Sequence, residues 1–196
     1  MNDPRLERWL DDLLATPGLT GIEDREEAWA MLAEDALRGA DVVRAFDGPI
    51  LDVGSGGGSP GIPLAAALPD RQVTLLEANA RKVEFLERMA AGFPNVTVVR
   101  GRAEEQAIDR FGVAVAKALA PPPVALEWTL PLVRPGGAAI LWLGPSADLR
   151  QLGRAAEQLG GGPPEQRAGL AVVPKLEATP AGFPRRPGVA RKRPLA

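Results

Sequence analysis

The chain has 196 residues, a formal charge of −2, and 45% hydrophobic and 24% charged side chains, the balance of a globular domain rather than a disordered chain. It has no cysteine and no histidine, which excludes disulfides, thiolate metal sites, cysteine nucleophiles, Ser-His-Asp chemistry and the common zinc sites, leaving only oxygen ligands for any metal. Charge is uneven: residues 1–48 hold 12 acidic and 5 basic side chains, 49–177 hold 13 of each, and the tail from Ala178 holds 5 basic and none acidic. Such a tail fits either a footprint for nucleic acid or a solvated end kept soluble by charge. No apolar stretch is long enough to span a bilayer and the N-terminus is acidic, so the expectation is a soluble cytoplasmic protein with no membrane partner, a monomer by default.

Asp3-Pro4 reads as an N-cap followed by proline at the first helical position. Leu6, Trp9, Leu10, Leu13 and Leu14 then fall at helical spacing until Pro17-Gly18. A second helix is expected from Glu23-Asp24, with Ala28, Trp29, Leu32, Ala36 and Leu37 on its apolar side. Neither helix can bury its stripe alone, so residues 1–48 are read as a helical cap and 49–196 as the ligand-binding domain.

From residue 49 the pattern alternates. Strands are predicted over 49–53, 72–76, 96–99, 113–116 and 138–143. Helices are predicted over 62–68, 81–91, 124–132 and 146–159, with a short one after Arg102-Ala103-Glu104-Glu105. Leu170–Leu176 and a piece near Val189 would close the sheet as a hairpin. The alternation predicts a doubly wound α/β fold with a mostly parallel, seven-stranded sheet.

The first strand leads into Asp52-Val53-Gly54-Ser55-Gly56-Gly57-Gly58-Ser59-Pro60-Gly61 and then a helix. Glycines there let a ligand approach bare backbone beside a helix start. The spacing is not that of a dinucleotide fingerprint, and the Gly-Lys-Ser/Thr of a P-loop is absent. Glu77 ends the next strand, where a carboxylate can accept ribose hydroxyls and would repel a 2′-phosphate. A helix N-cap role suits the same position.

Together, Asp52-Val53-Gly54-Ser55-Gly56-Gly57-Gly58-Ser59-Pro60-Gly61-Ile62-Pro63-Leu64 closely resembles the glycine motif of the RsmG (GidB) family. Further matches are Arg81–Leu86, Gly101–Glu104, Leu126-Glu127-Trp128, Leu130-Pro131-Leu132 and Pro135-Gly136-Gly137, and at the end Thr179-Pro180, Phe183–Gly188 and Lys192–Leu195. With Leu19–Ile22 and Glu26–Trp29 they cover about residues 19–195. The resemblance implies a class I methyltransferase (Rossmann-like) fold, S-adenosyl-L-methionine as cofactor, and methylation of guanine N7 in bacterial 16S ribosomal RNA, naked or in the small subunit.

Carried over by position, Gly54, Gly56 and Ser59 are expected near the cofactor's amino-acid portion, Glu77 at its ribose, and Ala103 and Glu104 at its adenine. Lys117 stands where the family usually has an arginine beside cofactor and base, and Leu143 where a lysine is usual. Lys117 is thus the expected catalytic residue, a cation able to orient guanine by its O6/N7 edge. A salt-bridge role fits Lys117 equally well. Arg185, Arg186, Arg191, Lys192 and Arg193 are the candidates for RNA phosphates. Three other readings stand beside this one: a methyltransferase of this type redirected to a small molecule, a cofactor-binding interaction module without transfer activity, and, more remotely, a nicotinamide dehydrogenase.

Overall fold

A computed structural model describes residues 3–144 and 148–196 of the chain. The first helix, α1 (Pro4–Ala15), starts where Asp3 accepts the Arg5 N–H, and its Leu6, Trp9, Leu10 and Leu13 are buried. The second begins at the N-cap Asp24 as α2 (Arg25–Ala28), loosens into a π-helical stretch (Trp29–Glu34), and tightens again as α3 (Asp35–Leu37). Of the expected stripe, Ala28 and Ala36 are fully buried and Trp29, Leu32 and Leu37 pack against the core while partly exposed; Ala33, which was not on it, is buried as well. A further short helix, α4 (Ala40–Arg44), was not anticipated.

The sheet contains β1 (Ile50–Val53), β2 (Val73–Glu77), β3 (Val96–Arg100), β4 (Phe111–Lys117), β5 (Val133–Trp142), β6 (Glu165–Arg167) and β7 (Leu170–Pro174). Its order is β3-β2-β1-β4-β5-β7-β6. The first five strands pair in parallel, and β7 is antiparallel to both β5 and β6. The doubly wound, mostly parallel, seven-stranded expectation therefore holds. Its last hairpin differs: β6 partners β7, whereas Val189–Lys192 forms a helical turn, α9, after the left-handed Gly188. A strand is recognised by apolar alternation, and Val189-Ala190-Arg191-Lys192 is too short to separate strand from helix.

Helices α5 (Gly61–Ala67) and α6 (Ala80–Ala90) pack on one sheet face, in one apolar cluster with α1 and the cap: Trp9, Leu13, Ile62, Leu64, Phe85, Val113 and Ile140 all belong to it. On the other face lie α7 (Pro122–Thr129) and α8 (Leu149–Gln158), with Leu126, Leu152, Ala139 and Leu141 in their cluster. The α8 N-cap is Asp148; positions 146 and 147, expected in that helix, lie outside the described residues. The strand order reverses between β1 and β4, and in open α/β sheets ligands bind beyond the carboxyl ends of the strands at such a point.

Candidate functional site

The turn after β1 is built by short bonds that fix its backbone. Gly54 and Ser55 donate their N–H groups to the Leu76 carbonyl (2.8 and 3.0 Å), and Gly58 N–H reaches the Ser55 carbonyl (2.7 Å). Ser55 Oγ–H bonds the Asp52 carbonyl (2.9 Å), and Asp52 Oδ2 accepts the Gly61 N–H (3.0 Å). Asp52 thereby ties the end of β1 to the start of α5. It is 1% exposed, and burial pushes its carboxyl up to about 7 against the opposing pull of the Gly61 bond. Gly54 has φ +69°, and a Cβ there would lie 2.3 Å from Leu119 Cδ1, so only glycine keeps the turn and its neighbour in place.

A cleft of about 310 Å³ opens beside this turn. It is bounded by the segments that follow four adjacent strands: Gly54 after β1, Glu77 at the end of β2, Ala103 and Glu104 after β3, and Ala118 and Leu119 after β4. Glu77 Oε2 accepts the Gly56 N–H at 2.9 Å and Oε1 the Asn79 N–H at 2.8 Å. The N-cap of α6 is Asn79, which accepts from Arg81 and Lys82, so Glu77 is not the capping residue. Its carboxylate keeps free lone pairs at the cleft, since each oxygen accepts one bond where two are possible.

Four of the seven expected site residues, Gly54, Glu77, Ala103 and Glu104, line this cleft, and Gly56 is bonded to one of them. Two point elsewhere. Ser59 Oγ–H bonds the Leu32 carbonyl at 2.7 Å. Lys117 Nζ pairs with Asp35 Oδ2 at 2.6 Å and also donates to the Met31 carbonyl. Both thus grip the π-helical region of the cap. The same Asp35 accepts the Trp142 indole N–H at its carbonyl (2.9 Å), and Trp9 Nε1–H bonds the Gly57 carbonyl (2.8 Å). The cap is bolted to the glycine turn and to the ends of β4 and β5 by polar bonds as well as apolar packing.

Leu143 borders a smaller cleft of about 120 Å³ that shares Ala118 and Leu119 with the larger one. Sequence reading passed over Lys82, Arg102 and Trp128, which also line the main cleft, and placed Arg191 elsewhere. Their signal was weak, because a cation after a helix start or a tryptophan in a helix is common on any surface or core. Among the described residues no cluster of carboxylates is arranged to hold a metal, and no helix is long and apolar enough to cross a membrane.

The cleft's features suit a nucleoside ligand. Bare backbone at Gly54, a carboxylate with free acceptor capacity and the small side chain of Ala103 meet in one place. Trp128 Nε1, in a residue that lines the cleft, is buried with no partner among the described residues.

The family model GidB, rRNA small subunit methyltransferase G, matches residues 5–158. The "Ribosomal RNA small subunit methyltransferase G" of Moorella thermoacetica is 36% identical over 200 residues, covering 90% of this chain and 82% of that protein. Among solved structures, a TehB-like SAM-dependent methyltransferase from Corynebacterium glutamicum has a TM-score of 0.57 at 19% identity, covering 76% of this chain and 95% of that one. A putative O-methyltransferase from Klebsiella pneumoniae has a TM-score of 0.57 at 23% identity, covering 90% of this chain and 92% of that one. At these identities the two structures speak for the class I methyltransferase fold alone.

Proposed function

The chain belongs to the rRNA small subunit methyltransferase G family, and on that premise we propose that the cleft beside Gly54 is its cofactor site and the place of guanine-N7 methylation. It is an S-adenosyl-L-methionine-dependent methyltransferase acting on small-subunit ribosomal RNA. The observation that carries the site assignment is the meeting of the glycine turn, Glu77 and the Ala103–Glu104 turn in one cleft. In this reading Gly54 and Gly56 border the amino-acid portion, Glu77 accepts from the ribose, and Ala103 and Glu104 flank the adenine. Residues 1–48 act as a cap that braces the glycine turn over a catalytic domain of residues 49–196.

When bound, the cofactor supplies a methyl group on a positively charged sulfur. Transfer of that methyl to guanine N7 would need no general base, because N7 carries a free lone pair of its own. No proton moves, so a chain without histidine or cysteine lacks nothing that the step needs. The protein's task is alignment, holding N7 roughly 3 Å from the methyl carbon with the base in line.

Lys117 serves that alignment from the cap side of β4, where its Nζ is held by Asp35 and Met31 outside the cleft lining. Two of its three N–H groups are used on Asp35 and Met31, which leaves one for the O6 edge of guanine. The target base then enters over Ala118 and Leu119, toward the small cleft at Leu143. Leu143 offers that base an apolar contact and no charge.

The exposed Arg186, Lys192 and Arg193 supply phosphate contacts, which position the RNA without reading its sequence. Whether free 16S RNA or the assembled small subunit is the substrate is decided by offering both, unmodified, with labelled S-adenosyl-L-methionine. Label at a guanine N7 is the expected result. Cofactor binding without transfer to either RNA would overturn the reading in favour of an interaction module. Lys117→Ala should lower turnover at least ~100-fold, the scale of losing one aligned donor, with cofactor affinity nearly unchanged. Unchanged turnover removes Lys117 from the reaction.

A further inference from the structure

We propose that the C-terminal segment completes the cofactor cleft, and that Arg191 with Trp128 forms the wall that holds the purine. The inference rests on the cofactor site assigned above. The five cations of the tail part ways in the structure. Arg185 is spent on Glu127, which is 1% exposed: Nε lies 2.6 Å from Oε1, and Nη2 bonds Oε2 as well as the Arg193 carbonyl at 2.8 Å. That pair lashes the tail to α7 one residue before Trp128. Upstream, Thr179 is held by Asp109 (Oγ1 to Oδ1, 2.8 Å) and by the buried Lys175 (2.8 Å). Gly188 N–H reaches Glu104 Oε1 at 3.4 Å.

So anchored, α9 lies against α7 and delivers Arg191 to the cleft. The Arg191 guanidinium carbon is 5.1 Å from the centroid of the Trp128 ring, and both side chains line the cleft with Ala103 and Glu104. Trp128 is 9% exposed, with its indole N–H unpartnered among the described residues. Adenine presents two flat faces, and its free ring nitrogens only accept. A planar guanidinium fork and an indole offer flat surfaces and donors to match. A phosphate fits worse, because Glu77 and Glu104 border the same space and would repel it. The expectation that Arg191 meets RNA phosphate is therefore replaced by a contact to the purine.

The test is calorimetry of the full chain with S-adenosylhomocysteine and with adenosine alone, comparing Arg191→Ala, Arg191→Lys and Trp128→Phe with the parent. Arg191→Ala should weaken both ligands at least fivefold and by the same factor. Lysine should restore only part, since it lacks the planar fork. The salt dependence of RNA binding should stay as in the parent. Ligand-induced quenching of tryptophan emission should shrink in Trp128→Phe, a readout that a merely structural role would not move. Affinities within twofold of the parent in both Arg191→Ala and Trp128→Phe would overturn the inference, as would a shallower salt dependence for RNA in Arg191→Ala. A parent protein that binds neither ligand would instead overturn the cofactor site itself.

Discussion

Replacing Asp52 by asparagine separates the charge of this residue from its role as an acceptor. Asp52 Oδ2 holds the Gly61 N–H, and Oδ1 is buried without a partner among the described residues. Burial, helped by the nearby Glu77 charge, lifts the carboxyl from 3.8 to about 7. Between those values the native protein keeps a proton that the unfolded chain has lost. The stability contributed by neutral Asp52 is thus complete below pH 3.8, falls as pH rises, and is gone above about pH 7. At 1.36 kcal/mol per unit, the part of that window lying between pH 5 and pH 8 is worth about 3 kcal/mol.

Asparagine keeps the acceptor for Gly61 and never ionises. Its amide gains no partner at the Oδ1 position, which costs about 1–3 kcal/mol at every pH. The stability difference between Asp52→Asn and the parent should therefore move in the variant's favour by about 3 kcal/mol from pH 5 to pH 8. Urea unfolding followed by tryptophan fluorescence at the two pH values measures it. A difference that stays constant within about 0.5 kcal/mol, small against the shift worked from linkage, would show that Asp52 is ionised throughout and refute the reasoning.

Glu77→Ala removes the acceptor of the Gly56 and Asn79 N–H groups; calorimetry should show cofactor affinity falling at least tenfold, about 1.4 kcal/mol, and an unweakened protein would cancel the ribose assignment. Gly54→Ala meets both a positive φ and Leu119 Cδ1, so thermal unfolding should occur earlier by the equivalent of about 1–2 kcal/mol for the backbone alone, with cofactor binding lost. Arg185→Met strands the buried Glu127 carboxylate and should cost about 3–5 kcal/mol in urea unfolding; a loss near zero would mean the tail is not anchored there. Trp142→Phe deletes one bond to the Asp35 carbonyl and should cost about 1 kcal/mol, seen as a lower urea midpoint with an unchanged slope.

Much of this was legible in the residues. Leu6, Trp9, Leu10 and Leu13 mark a helix because only the 3.6-residue period aligns them, and Asp3-Pro4 marks its start. Strand runs separated by helical ones point to a parallel sheet because parallel neighbours need a long crossover connection, usually a helix. The π-helical stretch was not legible, since Trp29–Glu34 reads as an ordinary helix. Its Met31 and Leu32 carbonyls accept from Lys117 and Ser59, which lie far away in sequence, contacts that no local pattern announces.

The same distinction governs the site. The sequence alone determined the glycine turn and the acidic end of β2, because each is a local pattern whose physics is complete within a few residues, and it showed the family through a resemblance spread over nearly the whole chain. Only the tertiary structure decided that Lys117 faces the cap, that Arg185 is an anchor, and that Arg191 sits on Trp128 at the cleft. The direction of a charged side chain depends on which distant surface supplies its counter-charge or its flat face, and that is settled only when the chain has closed on itself.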